Sequence, residues 1–261
     1  MGDRMSGVDG TRPNVARMYD YYLGGKDNFA ADRAAVAEVL KAAPEAAALA
    51  RANRAFLGRA VRWLAGRGVG RFLDLGAGLP TQENVHQVAL DVRPDARVVY
   101  VDNDPMVTMH AQALIGASEQ VGIINADMRD TAEILADPLV REIVAAGEPV
   151  AVLFVSVLHF LTDEERPGEV VRAFMDAMPP GSHLVISHAT ADVRPDDAHK
   201  AASVYNRASA PMVTRSKERI EALFRGAELL EPGVVPVMDW PTRQGILGGH
   251  QWILGGIGRK P

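Results

Sequence analysis

Short apolar segments alternate with amphipathic segments along residues 71–190, and this alternation constrains the fold more than any other feature. The apolar segments have the length of β-strands, and between them apolar residues recur at helical spacing. Several are apolar on both faces, which is typical of parallel strands covered on both sides by helices. The predicted strands lie in RFLDLGAG, ARVVYVDND, VGIINADMRD, PVAVLFVSVLHFL and PGSHLVISHAT. The sequence therefore predicts an α/β fold with a doubly wound, mostly parallel sheet.

Helical patterns dominate before residue 71 and return after residue 190. A polar tail precedes one short helix and two alanine-rich helices, which a break near Pro44 separates. We expect residues 1–70 to form a tail and a helical cap. Residues 71–261 are expected to form the sheet domain, with a helical insertion at about 191–212. The closing segment HQWILGGIGRK predicts a last, antiparallel edge strand.

The composition excludes several classes of protein. The chain has 261 residues, a formal net charge of -5 and no cysteine. Disulfides, thiolate metal sites and cysteine nucleophiles are therefore excluded, and no basic run indicates a nucleic-acid partner. The longest apolar run is too short to span a bilayer as a helix, and the first residues lack the apolar core of a signal peptide. We expect a cytoplasmic protein with no membrane partner.

The segment FLDLGAGLPTQENV places a glycine turn at the end of the first predicted strand. Gly76 and Gly78 let the backbone approach a ligand, and the following helix N-terminus adds free N–H groups. A dinucleotide fingerprint requires a third glycine where Thr81 stands, and Asp74 would repel a pyrophosphate. A cationic, amino-acid-like ligand suits Asp74 better. The alternative is a tight turn with a purely structural role.

Two further carboxylates end the next two predicted strands. Asp102 lies where a ribose-binding acid is expected in this type of sheet, and Asp104 is the better candidate for capping the next helix. Asp127 can accept a hydrogen bond from the exocyclic amine of an adenine, while Met128 packs on the ring. The alternative for Asp127 is a solvated loop. Three carboxylates at consecutive strand ends favour a nucleoside ligand.

Motifs in this order resemble those of class I S-adenosylmethionine-dependent methyltransferases, over about residues 71–190. The resemblance implies a Rossmann-like fold that binds S-adenosylmethionine. A narrower resemblance, nearly end to end, is to an actinobacterial family of S-adenosyl methyltransferases formerly described as a domain of unknown function. The motifs are LDLGAG, VYVDNDPMV, NADMRD and FVSVLHFLTDEE for the class, and PNVARMYDYYLGGKDNFAADR for the narrower family.

The resemblance also assigns roles to individual residues. It implies that Asp74, Gly76 and Gly78 hold the methionine part of the cofactor and that Asp102 holds the ribose. Further residues complete the implied cofactor site: Asn103 beside the ribose, Asp127 and Met128 at the adenine, and Ser156 at the methionine part.

Two histidines at adjacent strand ends are candidate catalytic bases. His159 would face the methyl group or the acceptor, and His188 is either a second base or a satisfied core histidine. A base is needed only when the acceptor must lose a proton. No cluster of His, Asp and Glu has metal-ligand spacing, so a metal is not expected.

The segment YDYYLGGKDNF in the predicted cap is unusual because tyrosines precede a glycine pair. Tyr22 is predicted to lie over the sulfonium group, since aromatic faces attract cations. Gly24 and Gly25 would allow close backbone approach to the cofactor. Lys26 would pair with the methionine carboxylate, with Arg17 as the second choice. The alternative is that the tyrosines pack on neighbouring helices and Lys26 faces solvent.

Three functions compete. The favoured one is an S-adenosylmethionine-dependent methyltransferase that acts on a small molecule, in a pocket between the cap and the insertion. The second is a regulatory protein that binds the cofactor without catalysis, because its cofactor site would look the same. The third is an NAD-dependent oxidoreductase. It is disfavoured because Thr81 stands at the third glycine position and Asp74 would repel a pyrophosphate. The oligomeric state is left open.

Overall fold

The computed structural model describes residues 8–80, 83–116, 118–241 and 252–261. One sheet runs through these parts of the chain. Its strands are β1 Arg71–Leu75, β2 Arg97–Asp102, β3 Val121–Asn125, β4 Val150–Val155, β5 His183–Ala189, β6 Glu228–Leu229, β7 Val235–Pro236 and β8 Ile253–Arg259. Their order is β3-β2-β1-β4-β5-β8-β6, and β7 also pairs with β8. Strands β1 to β5 are parallel, which confirms the predicted sheet.

The helices lie before the sheet and between its strands. They are α1 Val15–Tyr22, α2 Ala30–Ala42, α3 Ala46–Ala65, α4 Val85–Val92, α5 Pro105–Ile115, α6 Thr131–Ala136, α7 Pro138–Ala145, α8 Pro167–Ala177, α9 Pro195–Tyr205 and α10 Lys217–Glu221. Single 3₁₀ turns occur at Leu158–Phe160 and Ala222–Phe224. No helix in the described parts of the chain is long and apolar enough to cross a membrane.

Both faces of the sheet are buried, as the continuous apolar strands predict. Leu73 of β1 and Phe154 of β4 belong to one apolar cluster, and Phe72 and Leu153 belong to a second. Because successive side chains of a strand point to opposite faces, the two clusters cover the two sides. Burial of each such side chain contributes roughly 1.5–3 kcal/mol. This rigid sheet fixes the positions of the loops at its carboxyl edge.

The last strand is antiparallel as predicted, but it does not lie at the edge of the sheet. β8 pairs with β5 on one side and with β6 and β7 on the other. Its glycines permit this, because a Cβ atom on Gly258 would lie 3.0 Å from Phe224 and one on Gly255 would lie 2.9 Å from Phe56. The glycine-rich sequence of the strand thus reflects close packing from both faces.

The cap helices form a third apolar cluster with α9. Met18 of α1, Val36 of α2 and Ala201 of α9 pack there, together with Trp252 just before β8. Asn14 caps α1, since its Oδ1 accepts a hydrogen bond from Ala16 N at 2.8 Å. The boundary between residues 70 and 71 stays a prediction, as does the extent of the insertion. Thr81, the predicted departure from a dinucleotide fingerprint, lies outside the described residues.

Candidate functional site

A cavity of about 620 Å³ lies at the carboxyl edge of the parallel strands. The loops after β1, β2, β3 and β4 form one wall, and residues of α1, α2, α3 and α9 form the other. This is the edge at which ligands bind in open α/β sheets. The volume falls in the range of small-molecule and cofactor sites. The predicted pocket between the cap and the segment 191–212 corresponds to the second wall.

Asp74 is a buried carboxylate on the cavity wall. No hydrogen bond from the described residues reaches its side chain. Burial raises its pKa to about 7, although the charge of Arg54 opposes this shift and Asp102 adds to it. An ionised carboxylate that is buried without a hydrogen-bond donor costs free energy. A cationic ligand group that donates to Asp74 would therefore favour its ionised form. The sequence reasoning missed Arg54.

The glycine turn after β1 is held by the carboxylate of β2. Gly76 and Gly78 have φ angles of 76° and 66°, a region that favours glycine. A Cβ on Gly76 would clash with Val157, whereas space is open beside Gly78. Gly78 N donates to Asp102 Oδ2 at 2.8 Å. The backbone at Gly78 is therefore open to a ligand, while Gly76 serves packing.

Asp102 accepts more hydrogen bonds from the protein than the sequence suggests. Besides the bond from Gly78, its Oδ1 accepts from Asp104 N at 2.9 Å. Asp104 also has its predicted role, because its Oδ1 caps α5 by accepting from Met106 N. Burial raises the pKa of Asp102 to about 6 against these hydrogen bonds. Each carboxylate oxygen keeps a second lone pair for a ligand.

The loop after β3 brings Asp127 and Met128 to the cavity wall, with Asn103 beside them. Asn103 Nδ2 donates to Asp127 Oδ2 at 3.1 Å. Arg129 pairs with Asp127 and also with Glu165 from the loop before α8. The hydrogen bonds from Arg129 lower the pKa of Asp127 despite its partial burial. The carboxylate is thus ionised and fixed in place at neutral pH.

A chain of hydrogen bonds joins the end of β4 to the cap. Ser156 lines the cavity with a φ of 55°, and its N–H donates to Ser187 Oγ at 2.9 Å. Ser187 Oγ donates to Asn53 Oδ1, and Asn53 Nδ2 donates to the hydroxyl of Tyr19 at 2.9 Å. The sequence does contain a signal for Asn53, because it is a polar residue on the buried stripe of α3.

The tyrosines of α1 divide between the cavity and solvent. Tyr19 and Tyr22 line the cavity, whereas Tyr21 is exposed, as helical spacing predicts. Tyr22 lies 3.2 Å, hydroxyl to hydroxyl, from Tyr205 of α9. Burial raises the pKa of Tyr205 to about 12 and raises that of Tyr22 further. Both hydroxyls are neutral at physiological pH.

The structure does not bring Gly24, Gly25 and Lys26 to the cavity, contrary to the prediction. Position 25 requires glycine because the carboxylate of Asp20 occupies the space that a Cβ would fill. Asp20 accepts there from the backbone of Asp27 at 3.0 Å. The glycine pair therefore serves an internal turn, and Lys26 is exposed.

Arg17 lies on the cavity wall but is already paired. Its Nε donates to Asp32 Oδ2 at 2.8 Å, and both side chains are buried. Asp32 also accepts from the backbone of Asn14 and Phe29. This pair ties α1 to α2, which makes Arg17 a structural residue rather than the predicted second choice for a carboxylate ligand.

The two histidines have different surroundings. His159 lies in the 3₁₀ turn after β4 and lines the cavity. Ala189 N donates to its Nδ1 at 3.4 Å, which places the hydrogen of a neutral ring on Nε2. Burial, with His188 and the positive charge of Arg215 nearby, holds the pKa of His159 well below its usual value. His159 is thus a neutral ring with a donor available.

His188 is a satisfied core histidine, not a base. It is fully buried and does not line the cavity. Its Nδ1 donates to the carbonyl of Ala189 at 2.7 Å, and its Nε2 accepts from Arg215 at 2.8 Å. Burial lowers the pKa of His188 to about 3. Both ring nitrogens are occupied, so no proton can be exchanged with a ligand.

Among the described residues, no group of three or more His, Asp or Glu could hold a metal ion.

A family model described as S-adenosyl methyltransferase matches residues 2–261 of this chain. A crystal structure of a proposed methyltransferase from Thermobifida fusca YX is 41% identical, with a TM-score of 0.92 and coverage of 98% of each chain. A protein of the DUF574 family from Streptomyces avermitilis MA-4680 is 36% identical, with a TM-score of 0.91 and coverage of 97% of this chain and 99% of that one. No curated protein matches the chain.

More distant structures share the fold. The N-methyltransferase NodS from Bradyrhizobium japonicum WM9, in complex with S-adenosyl-L-homocysteine, is 15% identical with a TM-score of 0.51. That alignment covers 82% of this chain and 88% of NodS. At this identity the likeness concerns the fold, which is that of class I methyltransferases.

Proposed function

The chain belongs to the S-adenosyl methyltransferase family, and from this premise we propose that it transfers a methyl group to a small-molecule acceptor. Its fold and its cofactor, S-adenosylmethionine, are those of the family. The observation that carries the proposal is the buried carboxylate of Asp74, which faces the cavity without a hydrogen-bonding partner among the described residues. An α-ammonium group of the cofactor would donate the hydrogen bonds that this carboxylate lacks.

The other carboxylates suit the rest of the cofactor in this proposal. Asp102 keeps lone pairs for the two ribose hydroxyls, and its anchored position aims them at the cavity. Asp127 lies beside the side chain of Met128 at the place proposed for the adenine. It would accept from the adenine amine in exchange for one of the four hydrogen bonds that Asn103 and Arg129 donate to it. Gly78, Asn103 and Ser156 line the space between them. Gly76 supports the site by packing, and the charge of Arg54 acts on Asp74 from the same wall.

Methyl transfer from this cofactor requires positioning of the acceptor more than catalytic groups of the protein. The bound cofactor supplies a methyl carbon that its sulfonium group has already activated. The cavity walls hold the acceptor in line with that carbon and exclude water. His159 contacts the acceptor in this proposal, and as a neutral ring it donates a hydrogen bond through Nε2. The role assigned to it here is orientation, which replaces the base predicted from the sequence.

Calorimetric titration of the purified protein tests this proposal. We expect S-adenosylmethionine and S-adenosyl-L-homocysteine to bind with micromolar dissociation constants, and NAD not to bind. Binding of NAD in place of the two sulfur compounds would contradict the proposal. If both sulfur compounds bind but mass spectrometry detects no methyl transfer to any acceptor, a regulatory role is favoured.

The predictions of a cytoplasmic location and of no nucleic-acid partner rest on the sequence alone.

Cofactor affinity is expected to depend on pH through Asp74. Its folded pKa of about 7 leaves only a few per cent of the carboxylate ionised at pH ~5.5, and the ammonium group requires the ionised form. The dissociation constant of S-adenosyl-L-homocysteine should therefore fall roughly thirtyfold between pH ~5.5 and ~8. Calorimetry at both pH values measures this change. Asp74→Asn should bind weakly at both, and an unchanged pH profile in that variant would contradict the role of Asp74.

In the ligand-free protein, Asp74 makes the stability of the fold decrease with rising pH, whereas cofactor affinity is expected to increase. Because the folded pKa of Asp74 lies above the usual 3.8, the folded state holds a proton that the unfolded state has released. This contribution to stability is complete below pH ~4 and is lost as the pH rises to ~7. The difference in unfolding free energy between wild type and Asp74→Asn, measured in urea across this window, isolates it.

A further inference from the structure

The cavity extends beyond the sheet edge into a chamber with apolar walls. We call this end the apolar chamber, and it is lined by Val39, Leu49, Phe160, Ala201, Met212 and Trp252. These side chains come from α2, α3, α9, the loop after α9, the 3₁₀ turn after β4 and the position before β8. They pack in or against the third apolar cluster. The chamber therefore lies on the cap side, away from the carboxylates at the strand ends.

A continuous set of ring contacts connects the chamber to His159, the residue proposed to contact the acceptor. His159 and Phe160 have ring centroids 4.4 Å apart, and Phe160 lies 5.9 Å from Tyr205. Tyr205 reaches Tyr22 through their hydroxyls. An acceptor seated against these rings would extend from the cofactor into the chamber.

Among the described residues, the six that define the chamber carry no charge. The N-terminal segment contributes two cations to the cavity wall, Arg12 and Arg17. Arg12 donates to the carbonyl of Ala208 at 2.7 Å, and Arg17 is paired with Asp32. A charged ligand placed among the apolar walls would lose its hydration without gaining a counter-ion from them, which weakens its binding.

The two tyrosine hydroxyls leave one hydrogen unused. A pair of hydroxyls carries two hydrogens, and the bond between Tyr22 and Tyr205 uses one of them. Within the described part of the chain, neither hydroxyl has another hydrogen-bonding partner. Both side chains line the cavity. The remaining hydrogen is available to an oxygen atom of a bound molecule, and burial makes that bond selective.

We propose that the methyl acceptor is an uncharged, mainly apolar molecule with an oxygen atom that accepts the free hydrogen of the Tyr22–Tyr205 pair. This inference rests on the proposed function, because it concerns the acceptor half of the same cavity. The apolar walls select the body of the molecule, and the hydroxyl pair fixes its orientation.

Four probes of similar size and different polarity test the inference: acetonaphthone, ethylnaphthalene, naphthoate and naphthylmethylammonium. Each is titrated calorimetrically into protein saturated with S-adenosyl-L-homocysteine. We expect acetonaphthone to bind most tightly, and both ions to bind at least roughly tenfold more weakly. In the double variant Tyr22→Phe/Tyr205→Phe, acetonaphthone should weaken roughly three- to tenfold, to the level of ethylnaphthalene. Tyr21→Phe, on the exposed face of the same helix, is the matched control.

The outcomes separate this inference from the proposed function. Failure of S-adenosyl-L-homocysteine to bind would count against the function, and the probes would then be titrated into the ligand-free protein. Tighter binding of either ion, or no binding of any probe, would overturn the uncharged acceptor. Unchanged acetonaphthone binding in the double variant, with circular dichroism like that of wild type, would overturn the role of the hydroxyl pair.

Discussion

Asp102→Ala should raise the dissociation constant of S-adenosyl-L-homocysteine by roughly a hundredfold or more. The variant loses the acceptor for two ribose hydroxyls, and a hydrogen bond to a charged group contributes about 1.5–3 kcal/mol. It also loses the bond from Gly78 N that fixes the glycine turn, so the loop beside the cofactor is no longer held. Calorimetry on the folded variant measures the change.

A capping aspartate elsewhere in the fold provides the control for Asp102→Ala. Asp137 accepts from Leu139 N at 2.8 Å at the start of α7, much as Asp102 accepts from backbone N–H groups. Asp137→Ala should cost about 1 kcal/mol of stability and leave cofactor affinity unchanged. If Asp102→Ala retains its circular dichroism spectrum and binds S-adenosyl-L-homocysteine as wild type does, the ribose assignment is wrong.

The sheet and the carboxylate positions were predictable because they depend on local patterns. An apolar strand followed by Asp and Gly brings its polar end to the sheet edge whatever surrounds it. Asp74, Asp102 and Asp127 therefore reach one cavity as the sequence predicts. The cap of α5 at Asp104 was predictable for the same reason, since Asp before Pro is a local helix-start signal.

Residues whose roles depend on distant partners were not predictable. His188 looks like a base until Arg215, 27 positions later, occupies its Nε2. Tyr205 has no motif of its own, and it becomes a candidate only because α9 packs against the cap. Long-range packing decides which polar groups are satisfied and which face a ligand.

Arg215→Met should lower the free energy of unfolding by about 3–5 kcal/mol. Arg215 is only 3% exposed and has partners on every side. It donates to the carbonyls of Leu158 at 3.1 Å and Leu161 at 2.8 Å, and also to His188 Nε2 and to Asp163. Methionine fills similar space but leaves the buried acceptors of Leu158, Leu161 and His188 without this donor. Urea unfolding of both proteins measures the difference.

Arg219→Met is the matched control for Arg215→Met. Arg219 binds the other oxygen of Asp163 at 2.6 Å, but its side chain is 54% exposed. A solvent-exposed ion pair contributes at most about 1 kcal/mol, so this variant should unfold almost as wild type does. Equal losses in the two variants would show that the ion pair with Asp163 matters rather than the buried carbonyls. A larger loss for Arg215→Met would mean that this arginine holds the turn carrying His159, since it binds the carbonyls on both sides of that residue.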